Sequence, residues 1–378
     1  MFLAVILIVP LAFFAPAALA TKYSFTTVDV AGVLKGINDQ GTIVGMYGFL
    51  DASGNFTPMI NYPDPDAWTI PMGINNSNEM VGYYMDATGH HHGFLYSGGN
   101  FTLIDFPGTN YTELNGINDS GNIVGSSAEG HGLLYTRGNF TLIDFTGGSG
   151  TFAQGINNSG SIVGFYLEAA RPRGFIDTGG NFTLIDFPGA PWTNVYGIND
   201  FGTVVGTYGD AVGNYHSFLY SGGNFTPIDF PGATSRTVAF GINNSNEIVG
   251  YYIDATGWHG FVATPIYQVV IDINPNHINP KSNGELSVAI LSTSDFDAPS
   301  QVDQNSLTFG STGEEASLAY CNPKEKDINR DGLKDLLCHF YTQNADFQCG
   351  DTEGILKGKT MQGKPIKGSD SVRIGPCK

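Results

Sequence analysis

Between residues 327 and 335 the chain reads Asp-Ile-Asn-Arg-Asp-Gly-Leu-Lys-Asp. Oxygen-bearing side chains at alternate positions converge on one point when such a loop curls, and Gly332 permits the sharp bend. Asp327, Asn329, Asp331, the carbonyl of Leu333 and Asp335 are the expected donors, and Ca2+ the expected ion. The pattern is the front half of an EF-hand-type loop, but Cys338 stands where the bidentate Glu would be. A helix–loop–helix hand is therefore excluded. The affinity expected is that of an extracellular module, with Kd on the order of 0.1–1 mM. The alternative is an Asx-rich turn that holds no metal.

Histidine is the other residue type that could do chemistry. His92, His131, His216 and His259 each stand two residues before a Phe or Leu, and Arg173 takes the same place in another copy. Arg cannot ligate a metal, which argues against a ring of metal-bound imidazoles. A blade-internal hydrogen bond from each His, to a turn carbonyl or to a neighbouring carboxylate such as Asp105 or Asp229, is the expected role. The run His90-His91-His92 reads as a loop feature, with metal binding there the lesser alternative. No distinct cluster of an acid, a His and a Tyr stands out, and no Ser or Cys nucleophile motif is present, so no catalytic site is expected. Cys321, Cys338, Cys349 and Cys377 all lie late in the chain. An even number in a short segment reads as two disulfides. Three pairings are open. Cys321–Cys338 with Cys349–Cys377 is favoured because the first would bracket the Asp327–Asp335 loop.

The elements that must position these residues come from a repeat. Gly-Ile-Asn followed by a Val-Gly strand occurs six times, beginning at Gly36, Gly73, Gly116, Gly155, Gly197 and Gly241. A period of about 40 residues signals one supersecondary unit repeated. In the third copy, Asn115–Asn118, Asn122–Gly125, His131–Tyr135 and Phe140–Phe145 read as four short strands joined by Gly, Asn and Asp turns. Four strands per 40 residues is the size of one propeller blade. The expected fold is all-β: a six-bladed β-propeller over residues 21–265, then a small disulfide-stabilised β-sandwich over 266–378. The segment Phe25–Val30 reads as a fourth strand with no third before it, and Trp258–Val262 as a third with no fourth after it, so the two ends should complete one blade. An open β-solenoid is the alternative. Asn-Phe-Thr recurs at Asn55, Asn100, Asn139, Asn181 and Asn224, where Asn opens the fourth strand.

Residues 1–20 are almost wholly apolar and end Ala-Leu-Ala, the pattern of a secretory signal peptide. A membrane anchor is the alternative. Residues 21–265 carry 6 Lys and Arg against 20 Asp and Glu, a net −14, within a chain of net −18. Such a surface repels phosphate backbones, so no nucleic-acid partner is expected.

The triplets His92-Gly93-Phe94, His131-Gly132-Leu133, His216-Ser217-Phe218 and His259-Gly260-Phe261 resemble those of the bacterial extracellular HAF-repeat family. Arg173-Gly174-Phe175 and Gly48-Phe49-Leu50 depart from them. The resemblance covers about two-thirds of the chain. It implies an exported repeat protein and carries no agreed activity. Residues 269–378, with Ile271–Pro275, Ile278–Ser282, Cys349–Glu353 and Gly368–Val372, look like an accessory module appended to secreted bacterial proteins. The expectation is a secreted, non-catalytic module, extracellular or at the cell surface, that binds a polysaccharide or protein. Trp68, Trp192 and Trp258 are candidates for stacking on sugar rings. A calcium-stiffened spacer, or a propeller glycosidase or lyase, are the other classes.

Overall fold

The computed structural model describes residues 22–377 apart from 30, 31, 52, 59–66 and 325; the segment read as a signal peptide lies outside them. The described chain is mostly β, with a single short α-helix at Ala298–Gln301. Five repeats each form a four-stranded antiparallel meander, the third being Thr112–Ile117, Ile123–Ser127, Gly132–Thr136 and Asn139–Ile143. The sixth has three strands of its own, Arg236–Ile242, Ile248–Ile253 and Trp258–Gln268. Its fourth is the N-terminal strand Lys22–Thr27, which runs antiparallel to Trp258–Gln268 from Lys22↔Ile266 to Thr27↔Phe261. The two chain ends thus meet in one sheet, as the strand count predicts. No sheet closes on itself, and the units are propeller-like repeats stacked side by side.

Apolar residues of successive sheets meet between them. Phe94, Leu133, Phe175, Phe218 and Phe261, the last residues of the His-x-Phe triplets, are fully buried there. The first strands of neighbouring units come close because each carries a glycine. A Cβ on Gly155 would stand 2.6 Å from the Tyr196 carbonyl oxygen of the next unit.

The asparagine of each Gly-Ile-Asn spends its amide twice. Its Oδ1 accepts backbone N–H groups two and four residues on, as Asn199 does from Phe201 and Thr203. Its Nδ2 donates to the carbonyl of the corresponding Asn in the next unit: Asn38 to Asn75, Asn75 to Asn118, Asn118 to Asn157, Asn157 to Asn199, Asn199 to Asn243, and Asn243 back to Asn38, all at 3.0–3.2 Å. An amide is donor and acceptor at once, whereas an ionised carboxylate only accepts, which is why Asp cannot serve here.

A second tier follows one residue on. Here Asp39, Asn76, Asp119, Asn158, Asp200 and Asn244 alternate in type. Each Asn donates both Nδ2 hydrogens, one to the Asp on either side, at 2.7–2.9 Å. Each backbone N–H donates to the side-chain Oδ1 of the next unit. Burial would push the Asp200 carboxyl up, but its bonds from Asn158 and Asn244 outweigh this and hold it below the usual range.

The C-terminal module has two sheets around one core. Val270–Asn274, Glu285–Leu291, Leu336–Tyr341 and Leu318–Cys321 form the first. Val302–Gly310, Glu353–Thr360 and Pro365–Ser371 form the second. Val288, Ile290, Phe309, Phe340 and Leu356 are buried between them. The module is linked to the repeats by parallel pairing of Tyr267 with Ile366 and Gln268 with Lys367.

Candidate ligand-binding site at the repeat axis

The first strands line the axis; each has a register shift just before its glycine, and on the N-terminal side of that shift alternate residues share a face. The residues just before the repeat glycines, Lys35, Met72, Asn115, Gln154, Tyr196 and Phe240, line an axial cavity of about 90 Å³ together with those glycines and isoleucines. Two residues back stand Val33, Ile70, Glu113, Phe152, Asn194 and Val238; two further back come Trp68, Tyr111, Trp192 and Arg236. The Gly-Ile-Asn end of the axis is the same in every unit. The opposite end varies from unit to unit, as a specific site requires.

Glu113 is the single acid in these layers among the described residues. Its Oε1 accepts from the Tyr111 hydroxyl at 2.6 Å and from His91 Nδ1 at 2.9 Å, since a carboxylate can only accept. The His91 ring lies between Tyr83 and Tyr111, with centroids 4.7 and 4.3 Å away. Burial first, then the Glu113 charge, pushes Tyr83 up to about 12. The same causes, joined by the hydrogen bond, raise Tyr111 further. These tyrosines are neutral donors at any physiological pH.

A second cluster carries the cations. Arg236 lies over the Tyr215 ring at 4.2 Å, and Lys35 Nζ over Phe240 at 3.8 Å. Burial lowers Lys35 to about 8 against the raising charge of Glu113. Phe240 touches Tyr196 and Tyr251, and Tyr251 stacks on Trp258 at 4.7 Å. Trp258 and Trp68 present 60% and 51% of their surface to solvent, large apolar faces at the starts of the strands Trp258–Gln268 and Trp68–Ile74. Trp192 is instead half-buried against Tyr215. This end therefore offers flat aromatic faces, neutral hydroxyl donors, one carboxylate and two cations around a shallow opening. Such a set suits a polar ring-shaped ligand.

The sequence reading missed the Glu113, Tyr111, His91 and Tyr83 cluster. It searched for what recurs, and Glu113 occurs once. The histidines of the triplets behave as expected: His92 bonds Asp105 at 2.7 Å, His131 Asp144 at 2.9 Å, His216 Asp229 at 2.8 Å and His259 Asp29 at 3.1 Å, while Arg173 bonds Asp186 at 3.2 Å. The run His90–His92 is not a simple loop feature, because His91 and His92 open the strand His91–Ser97 and face opposite ways.

Burial lowers His216, but Asp229 and then Asp210 outweigh it, and its pKa is raised. Burial likewise raises Asp210, yet bonds from Asn214, His216 and Val212 hold it at about 2. A raised His stabilises the fold fully below its ordinary value of about 6.5, and the gain is lost as pH climbs through the folded value. The depressed Asp stabilises above about 4, and that gain is lost as pH falls towards 2. The melting-temperature deficit of His216→Gln relative to the parent is therefore expected to be larger at pH 5.5 than at pH 8.5. Equal deficits at both would contradict this.

In the C-terminal module Cys321–Cys338 and Cys349–Cys377 are the disulfides. The first joins directly paired residues of neighbouring strands and brackets the Asp327–Asp335 loop. There, Asp327 accepts the N–H groups of Asp331 and Gly332, Asn329 Nδ2 donates to Asp331 Oδ2 at 2.8 Å, and Asp331 Oδ1 accepts the Leu333 N–H. Those bonds, from Leu333 and then Asn329, hold the Asp331 carboxyl below its usual range. Asp335 is buried, and its two oxygens accept the N–H groups of Ser292 and Ile328. Leu333 is exposed.

No family model matches the chain, and no curated protein does. Among solved structures, the chain is similar to TolB from Acinetobacter baumannii at 14% identity, with 62% of this chain and 63% of that one covered and a TM-score of 0.42. It thus spans under two-thirds of that protein. A gluconolactonase from Xanthomonas campestris is 13% identical, with 64% of this chain and 90% of that one covered, TM-score 0.41. A fucose-specific lectin from Aleuria aurantia is 13% identical, with 65% and 96% covered, TM-score 0.36. Likeness at this level bears on neither activity nor ligand. Among the described residues no helix is long and apolar enough to cross a membrane.

Proposed function

We propose that the chain is an exported, non-catalytic carbohydrate-binding protein. Its six units form a closed six-bladed propeller of the HAF-repeat kind, and a glycan docks at the Glu113 end of the axis. One observation carries this reading: the first strands are alike at their Gly-Ile-Asn end and vary from unit to unit at the other, which carries Trp68, Tyr111 and Glu113, while the exposed Trp258 stacks on Tyr251. Two disulfides support export, since such bonds persist in oxidising compartments. Trp68→Ala and Trp258→Ala remove exposed rings that the core does not need. Each is expected to weaken glycan binding by about 1–2 kcal/mol, roughly tenfold in Kd, with the melting curve unchanged. Binding equal to the parent's in both variants would contradict the site.

Glu113, Tyr111 and His91 are also groups that can move protons. Glycoside hydrolysis uses two carboxylates, and the axis layers hold one. The second reading is therefore a lyase that abstracts a proton, and it would be recognised by released fragments.

The Asp327–Asp335 loop is proposed to hold Ca2+. Asp327, Asn329 and Asp331 lie within hydrogen-bonding reach of one another, a hard oxygen set suited to that ion. The Leu333 carbonyl and Asp335 are the remaining proposed donors, Asp335 keeping its bonds from the Ser292 and Ile328 N–H groups. Asp331→Ala is expected to lower the melting temperature relative to the parent in millimolar calcium and to leave it unchanged in chelator. Coincident curves in calcium would remove the ion from this account.

A further inference from the structure

We infer that Asp86, His90 and His92 form a site for a divalent transition-metal ion of the zinc type, on the second repeat only. Their ligand atoms all lie within 4.8 Å of one another. Asp86 Oδ2 stands between two imidazoles, 3.3 Å from His92 Nε2 and 3.7 Å from His90 Nδ1. Ligands around a tetrahedral zinc with bonds of 2.0–2.1 Å are roughly 3.3–3.4 Å apart. The Asp86–His92 separation matches this, the Asp86–His90 separation is slightly longer, and an ion would displace the bond between His90 Nδ1 and the Thr88 hydroxyl.

The surroundings prepare these atoms for an ion. Asp86 Oδ1 is occupied, accepting the N–H groups of Thr88 and His90 and the Thr88 hydroxyl, which anchors the carboxylate and leaves Oδ2 to face the histidines. His92 Nδ1 bonds Asp105 Oδ2 at 2.7 Å. A carboxylate on the far nitrogen of a ligating imidazole fixes its tautomer and aims the other nitrogen's lone pair at the metal. Stacking on Tyr84, with centroids 4.9 Å apart, holds the ring's plane. His90 is 43% exposed at the side chain, so an ion can enter from solvent. Two imidazoles and one carboxylate favour zinc, nickel or copper over calcium or magnesium.

The other repeats serve as internal controls. The fifth has the same pair, His216 beside Asp210 and Asp229. In place of His90 it carries Asn214, whose Nδ2 donates to Asp210 Oδ2 at 2.9 Å. An amide N–H there closes the turn with a hydrogen bond. Where the fifth repeat closes this turn with an amide, the second carries a ligand.

The test is calorimetric titration of the full chain with Zn2+ in millimolar calcium, on the parent, His90→Asn and His216→Asn. His90→Asn installs the residue the fifth repeat uses, so the turn is retained, and its metal-free melting curve should match the parent's. One equivalent of zinc is expected on the parent. Affinity should fall at least tenfold in His90→Asn and stay unchanged in His216→Asn, and a zinc-dependent rise in melting temperature should vanish with it. No zinc uptake by the parent, equal affinity in His90→Asn, or a like fall in both variants would each overturn the site.

Discussion

Deleting residues 22–29 is expected to lower the melting temperature of the whole repeat region by about 10–20 °C, in a single transition. The segment supplies the last strand of the sixth unit, with six residue pairs against Trp258–Gln268. Phe25 packs on Phe230 and Phe261 at 5.4 and 5.8 Å, against a core that includes Ile228, Ile248 and Tyr252. The Thr27 hydroxyl lies 3.0 Å from that of Tyr252, and Asp29 bonds His259 at 3.1 Å. Its loss would expose both an apolar face and the unpaired edge of Trp258–Gln268. Such a strand is worth about 5 kcal/mol, a large share of the 5–15 kcal/mol that keeps a typical domain folded. At about 2–4 °C per kcal/mol for a domain of this size, the expected shift follows. Amide exchange should then quicken in all six units. Faster exchange confined to Trp258–Gln268 would mean that the units are not held as one ring, and an open solenoid would replace the propeller.

Asn158→Asp should be nearly as damaging, although it changes one atom near the surface. Asn158 Nδ2 donates to Asp119 at 2.7 Å and to Asp200 at 2.9 Å. The variant loses both donors and sets three carboxylates side by side. Bonds to charged groups are worth about 1.5–3 kcal/mol each, and exposure places these at the low end, so a loss of about 2–4 kcal/mol is expected at pH 7. The new Asp, flanked by like charges, has a folded pKa above its unfolded one, so its penalty is present at neutral pH, fades as pH falls through the raised folded value and is gone below about 4. A melting curve equal to the parent's at pH 7 would show that the alternating tier does not hold the units together. The alternation also bears on unit number. A ring of alternating Asp and Asn closes without a mismatch only when the count is even, and six satisfies it.

Much of this was readable in the chain. The Gly-Ile-Asn period located the units, and the unmatched strands at Phe25 and Trp258 foretold that the chain ends share a sheet. The bonds of His92 to Asp105 and His216 to Asp229 were expected because a residue repeated in every unit tends to hold that unit together. The favoured cysteine pairing was also found. The alternation at Asp39, Asn76 and onward was present in the sequence but has no meaning until the units face one another. Glu113 was overlooked for a related reason. A site that occurs once shows as a departure from the repeat, and its significance comes from Tyr111 two residues away and His91 in the preceding unit. Likewise, a run of three histidines suggests one shared role, whereas strand alternation sends His91 to Glu113 and His92 to Asp105.

The most direct test of the account is co-sedimentation of the full chain with insoluble polysaccharides and peptidoglycan, with the supernatants read by mass spectrometry. The parent and a Trp68→Ala, Trp258→Ala double variant are compared, in calcium and in chelator. Retention of the parent on one polymer, loss of that retention in the variant and no released fragments is the predicted result. Retention that the variant shares, release of oligosaccharides, or no retention on any polymer would contradict a non-catalytic glycan site at this end of the axis.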